Sequence, residues 1–241
     1  MNELLELLES PAPGELLISW HGSGKLALLL PEVDSSFGIP QRKEHHPEVD
    51  TGIHVAMCLD VAQSLKASNA ARFAVLLHDV GKSLTPTSEL PAHVDHEIRG
   101  LAPVNAVCER FDVPEDWRKL ALLVCEHHLH AHRAFEMRSK SMLRLLSQTG
   151  LERDQALLDD FVVACEADKR GRLGKSENDY PQGRYMRKAA QVLQGLWMPP
   201  ETVINDRPTQ ELHGARLRAV RDAGQPFRQA IDDAKAAKAA C

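Results

Sequence analysis

The chain of 241 residues has no CxxC pair among its five cysteines, and their odd number rules out complete internal pairing. Cys58, Cys108, Cys125 and Cys165 fall inside apolar helical patterns, where a reduced thiol behaves as a small hydrophobe. A secretory leader is not expected either. The opening MNELLELLESP is acidic and lacks a basic region followed by a long apolar run. Runs such as LALLLP are too short to span a bilayer, so a cytoplasmic chain with no membrane partner is expected. Basic charge is not in excess: 29 Lys and Arg stand against 34 Asp and Glu, a net charge of −5. That balance excludes a general polyanion binder and leaves room only for a local basic pocket. There is no alternating strand pattern, no internal repeat and no low-complexity stretch apart from the terminal KAAKAAC.

What is present is helical. Apolar residues recur at three- and four-residue spacing over Ile53–Leu65, Ala70–Val80, Ile98–Phe111, Glu115–His127, Ser139–Gln148, Leu157–Asp168 and Arg184–Leu196. Breaks fall at Gly81, Pro91, Pro114, Gly150 and Gly171. The expected architecture is an all-α bundle of about seven to nine helices.

FAVLLHDVGKSLTP, residues 73–86, sets the functional question, because an apolar run ends in His78–Asp79. A buried carboxylate costs several kcal/mol unless it is paired, hydrogen-bonded or bound to a metal. Compensation is available elsewhere. His54 shares a helical face with Asp50, Cys58 and Val61, and Asp168 follows Phe161 and Cys165 on an apolar stripe. One such residue is more often a satisfied core group. Three helices each carrying a ligand-type residue, in the order His, His-Asp, Asp, point to a divalent-metal site at His54, His78, Asp79 and Asp168.

That order, with HPEVDTGIH, HDVGKSLTP, EADKRGR and DYPQGR, resembles the HD phosphohydrolase superfamily. Within it, the chain resembles the C-terminal HD domain of bacterial CCA-adding enzymes over about residues 25–192, without the paired carboxylates and Gly-Ser motif of a nucleotidyltransferase half. The resemblance implies an all-α HD-domain helical bundle at 41–200, preceded by a helical lead-in at 1–40 and followed by a helical tail at 201–241. It also implies metal-dependent hydrolysis of the 2′,3′-cyclic phosphodiesterase, 2′-nucleotidase or phosphatase type on nucleotides or RNA 3′-end phosphates. The cofactor would be Mg, Mn, Ni or Co as one ion, or as two with Asp79 bridging and His96 and His128 holding the second. Those two histidines have an equally good alternative as helix-end caps. Lys82 and Asp79 would be catalytic, and Lys82, His93, Arg170 and Arg172 would meet the substrate. Arg170 or Arg172 taken alone reads better as a surface cation. Tyr180, Arg184 and Arg187 are either nucleotide contacts or stabilisers of the fold. A homodimer is compatible with this reading. The rival function is a non-catalytic HD module that holds a nucleotide or tRNA end. No serine or cysteine nucleophile with an adjacent base is evident, so no covalent intermediate is implied.

Overall fold

The computed structural model describes residues 1–196, 203–204 and 207–239. Cys241 and the end of the KAAKAAC tail lie outside them. Helices dominate, as the periodicity predicts: α1 (Asn2–Leu8), α2 (Pro13–Gly22), α3 (Lys25–Leu29), α4 (Pro31–Asp34), α5 (Thr51–Ser64), α6 (Asn69–Leu77), α7 (His96–Arg99), α8 (Leu101–Phe111), α9 (Glu115–His132), α10 (Ser139–Gln148), α11 (Gln155–Arg170), α12 (Pro181–Gln194) and α13 (Gln210–Ala239). Helices α1, α3, α4 and α7 are too short to display a periodicity, which is why the expected count is lower. One two-residue antiparallel ladder, β1 (Val203–Ile204) with β2 (Arg207–Pro208), is too brief to show alternation. No helix of the described residues is long and apolar enough to cross a membrane.

The chain forms two compact units: Met1–Leu129 with Asp160–Asp179, and His130–Asp159 with Tyr180–Cys241. In the first, α2 packs on α5 and α5 on α6, which buries Leu17, Val55, Leu59, Phe73 and Leu76. Each helix start is chemically specified. Asp50 caps α5 by accepting from Ile53 N at 3.0 Å, and Ser68 caps α6 by accepting from Ala71 N at 3.1 Å. Asp50 also accepts from Gly38 N at 2.6 Å, pinning the preceding loop. In the second unit, α13 packs on α10 and α12, with Tyr185, Phe135 and Phe227 in mutual ring contact.

One local departure matters for the site. The periodicity predicts a helix through Val80, with His78 and Asp79 on one helical surface. Instead α6 stops at Leu77, His78 is its C-cap, and Asp79 (φ −112°, ψ 7°) leads into a 3-10 turn over Val80–Leu84. Gly81 permits the close packing that follows. A side chain there would overlap the His96 carbonyl oxygen and the Gly100 backbone, so this turn presses directly onto α7 and α8.

Candidate metal centre

His54, His78, Asp79, His96, His128 and Asp168 come together in the first unit, all at 5% exposure or less. Helix α5 supplies His54, the end of α6 supplies His78 and Asp79, α7 supplies His96, α9 supplies His128 and α11 supplies Asp168.

The four imidazoles are held in one common manner. His78 Nδ1 donates to the Val75 carbonyl at 2.7 Å, His96 Nδ1 to the His93 carbonyl at 2.7 Å and His128 Nδ1 to the Val124 carbonyl at 3.0 Å. His54 Nδ1 donates to Glu48 Oε1 at 3.0 Å. Carbonyl and carboxylate oxygens only accept, so each ring carries a hydrogen on Nδ1 and turns Nε2 inward.

Those nitrogens converge on two carboxylates. Asp168 Oδ1 is 3.1 Å from His54 Nε2 and 3.8 Å from His78 Nε2. Asp79 Oδ2 is 3.1 Å from His78 Nε2 and 3.9 Å from His54 Nε2. Its other oxygen, Oδ1, faces away from that pair, 3.2 Å from His96 Nε2 and 3.7 Å from His128 Nε2. Two ligands about 2.1 Å from one ion stand roughly 3.0–3.4 Å apart at right-angled to tetrahedral geometry. The shorter separations here match that range.

Two observations favour a cation over mutual hydrogen bonding. His78 Nε2 and Asp79 Oδ1 are buried and make no hydrogen bond of acceptable geometry, despite these close neighbours. Negative charge is also concentrated here. Three carboxylates with side chains no more than 4% exposed, Asp79, Asp168 and Glu48, gather at the cluster, with Lys82 2.6 Å from Asp79 and Arg172 3.9 Å from Asp168. Burial alone would raise the Asp79 carboxyl, but His78 and Lys82 hold it well below the usual range, so it stays ionised. Burial lowers His78 too, yet Asp79 and Asp168 outweigh it and the ring shifts upward: these acids attract positive charge. His128 is the opposite case, pushed down to about 3 by burial despite both acids, and so remains a neutral donor. The residues present therefore fit a divalent ion held by His54, His78, Asp79 and Asp168, with His96 and His128 arranged around the second oxygen of Asp79.

Four residues here escape the sequence pattern. Glu48 accepts from His46 at 3.0 Å, from His54 at 3.0 Å and from Leu173 N at 3.1 Å, and these hydrogen bonds overcome burial to hold it well below its usual range. His46 is pushed down to about 4 by burial. Gln41 accepts from Lys82 Nζ at 2.6 Å. Cys58, read from the sequence as a small hydrophobe, also borders the site. Its Sγ lies 3.4 Å from His54 Nε2 and groups with His54, His78 and Asp168 as a potential ligand, while burial and the nearby Asp168 hold it protonated. Gly171 packs so closely on Cys58 that a Cβ would meet its Cα at 2.6 Å, which accounts for the glycine of EADKRGR. Only Glu48 and His46 lie inside a quoted motif, HPEVDTGIH; in a loop, no periodicity marks them.

The expected substrate contacts divide. Lys82 is buried against Asp79 and Gln41, and Arg172 stands at the edge of the cluster with its Nε unpartnered. Arg170 instead pairs with Glu166 at 2.7 Å and donates to the Ser176 carbonyl at 2.7 Å. His93 is fixed at both nitrogens, by the Pro40 carbonyl at 2.9 Å and the Thr85 hydroxyl at 2.8 Å. Arg187 pairs with Asp159, and Tyr180 lies beside His132 at 3.2 Å.

Glu48 orients a ligand from outside the cluster, and such partners are commonly worth 10–100-fold, roughly, in metal affinity. Glu48→Gln should therefore weaken divalent-ion binding by about that factor with an unchanged circular-dichroism spectrum. An unchanged dissociation constant would leave Glu48 only its loop contacts.

Residues 51–170 match the HD domain, and the chain belongs to that family, which lies within a superfamily of metal-dependent phosphohydrolases. Its similarity to known proteins is more specific than that. It is 42% identical over 223 residues to the Multifunctional CCA protein of Xanthomonas euvesicatoria, covering 91% of this chain and 54% of that one. The Multifunctional CCA protein of Pseudomonas fluorescens is 45% identical over 199 residues, covering 83% and 49%, and that of Acinetobacter baumannii is 47% identical over 173 residues, covering 72% and 42%. The chain thus spans about half the length of the curated relatives it matches. No significant match exists among solved structures.

Proposed function

We propose that this chain is a metal-dependent phosphohydrolase of the 2′,3′-cyclic phosphodiesterase, 2′-nucleotidase or phosphatase type, acting on nucleotides or RNA 3′-end phosphates. The observation that carries the reading is the convergence of four Nε2 atoms on the carboxylates of Asp79 and Asp168. A bound divalent ion supplies an activated water and neutralises phosphate oxygens. His54, His78, Asp79 and Asp168 would hold that ion, and Asp79, kept ionised beside it, would accept the proton of the attacking water. Arg172, beside Asp168, and Lys82, beside Asp79, would bring positive charge to the phosphate. Purified chain stripped of metal, then given magnesium, manganese, cobalt or nickel singly, should hydrolyse a chromogenic phosphodiester only with metal. Metal binding without turnover would support a module that holds a nucleotide or tRNA end.

The two oxygens of Asp79 face different histidine pairs, and this arrangement suits a second ion at His96 and His128. Elemental analysis should find two ions per chain at saturation, falling to one in a His96→Ala, His128→Ala double variant. One ion in both proteins would remove the dinuclear site.

Lys82 competes with a cation for Asp79 Oδ2, from 2.6 Å. Lys82→Ala should lower turnover by about 10–100-fold, the scale of one charge-assisted contact, while metal content stays equal or rises. Unaltered turnover at all substrate concentrations would reduce Lys82 to a neutralising role.

A further inference from the structure

Gln41 stands in the loop that joins α4 to α5 and is only 3% exposed. Its backbone is held from two sides. Pro40 and Asp50 form an isolated antiparallel bridge beside the bond from Gln41 N–H to the Val49 carbonyl, and His93 Nε2 donates to the Pro40 carbonyl at 2.9 Å. The side chain is fixed as well. Lys82 Nζ only donates, so the amide oxygen of Gln41 is the end that faces it, at 2.6 Å. That leaves the amide nitrogen at the other end of the group, with two hydrogens to place. Gln41 Nε2 is buried and has no hydrogen-bond partner.

A buried donor left unpaired carries the whole cost of its lost hydration. Bracing Lys82 does not account for it, because a glutamate in the same place would offer the lysine an oxygen and carry no idle donor. Other donors nearby are in a similar state. Lys82 Nζ carries three hydrogens, and among the described residues Gln41 and Asp79 accept two of them, each at 2.6 Å. Arg172 Nε, on the side chain next to Asp168, is also buried without a hydrogen-bond partner. These groups offer N–H bonds around the carboxylate cluster and call for a ligand rich in acceptor oxygens. A phosphate is such a ligand.

We infer that Gln41 is a phosphate-binding residue of this centre: its Nε2 donates to a nonbridging oxygen of the substrate's phosphate, next to the lysine that its own oxygen holds. The inference rests on the reading of the chain as a phosphohydrolase and adds a residue to it. An uncharged donor suits the position, since it grips an oxygen without adding a cation that would repel the divalent ion.

The test uses the full chain loaded with manganese, its metal content checked by elemental analysis, with inorganic phosphate titrated calorimetrically. Wild type is compared with Gln41→Met, Lys82→Met and the double variant, and circular dichroism checks each fold. Phosphate affinity should fall about tenfold or more in Gln41→Met, the scale of one hydrogen bond to a charged group. It should fall by a comparable factor when the same substitution is made in the Lys82→Met background. A loss that vanishes in that background means that Gln41 acts only by holding Lys82, and it overturns the inference. Equal affinity of wild type and Gln41→Met, or no phosphate binding by wild type, overturns it too. Gln41→Glu covers a Gln41→Met protein that does not fold: it keeps an oxygen for Lys82 and lacks the donor, so wild-type affinity in that variant refutes the contact. Turnover of the chromogenic phosphodiester is measured in the same samples. Metal-dependent turnover by wild type, with unchanged phosphate affinity in the variants, rejects Gln41 and leaves the phosphohydrolase reading standing. Absence of turnover rejects that reading, and the phosphate affinities still decide the role of Gln41.

Discussion

Asp79→Ala should abolish divalent-metal binding and lower turnover by at least about 10³-fold, the scale of several kcal/mol of metal-supplied stabilisation. Asp79 is 1% exposed and is the one side chain whose two oxygens touch both histidine pairs. Asp168 Oδ1 stands 3.1 Å from His54 Nε2 and 3.8 Å from His78 Nε2, so it shares one side of the site with Asp79. The variant also leaves Lys82, 6% exposed, with Gln41 as its remaining partner, so some loss of thermal stability accompanies the loss of activity. Asp79→Asn separates the two effects, since it keeps the volume and an oxygen for Lys82 and removes the negative charge. The helical spectrum should survive in both variants, and metal content should fall in both. Near-normal turnover of Asp79→Asn with several metals would refute the assignment.

Among phosphate substrates, 2′,3′-cyclic phosphates and 2′-phosphates should be hydrolysed in preference to 5′-nucleotides and triphosphates. The resemblance of HPEVDTGIH, HDVGKSLTP and EADKRGR to the HD-domain motifs of CCA-adding enzymes motivates this expectation. The geometry adds a charge argument. A triphosphate calls for several cationic clamps, yet Arg170 is engaged by Glu166 and Lys82 by Asp79, leaving Arg172 the least committed cation beside the cluster. A cyclic diester carries one negative charge and is strained, so one or two cations and an activated water suffice. A side-by-side assay of 2′,3′-cyclic AMP, 2′-AMP, 3′-AMP, 5′-AMP and ATP with magnesium, manganese, cobalt and nickel decides the matter. Fastest cleavage of 5′-AMP or ATP under every metal would make this a general nucleotidase.

The helices and the ligand-type residues were legible because burial imposes a period, and a His or Asp on an apolar face violates it. The long elements α5, α9, α10 and α11 lie close to the ranges the period predicts. What escaped obeys no period. Glu48 and Gln41 come from loops, where spacing carries no information about neighbours. Cys58 was visible on the face of His54, but a thiol one turn from a histidine reads as a hydrophobe until its 3.4 Å separation is known. The break after Leu77 comes with the close approach of Gly81 to His96 and Gly100, a contact across nearly twenty residues that no local propensity encodes. Arg170 and Arg172 look equivalent in EADKRGR, and only the position of Glu166 one helical turn earlier separates them.

His54 and Asp168 touch at 3.1 Å although they stand 114 positions apart in the chain. In a zinc finger, ligands a few residues apart can capture the ion early, and the metal then directs the chain. Here the donors come from five helical segments, and an ion finds its full coordination only after loops of that length have closed. The centre is thus a late product of folding and not its seed. By mass action, an ion that binds only this assembled form adds to the stability of a scaffold already complete.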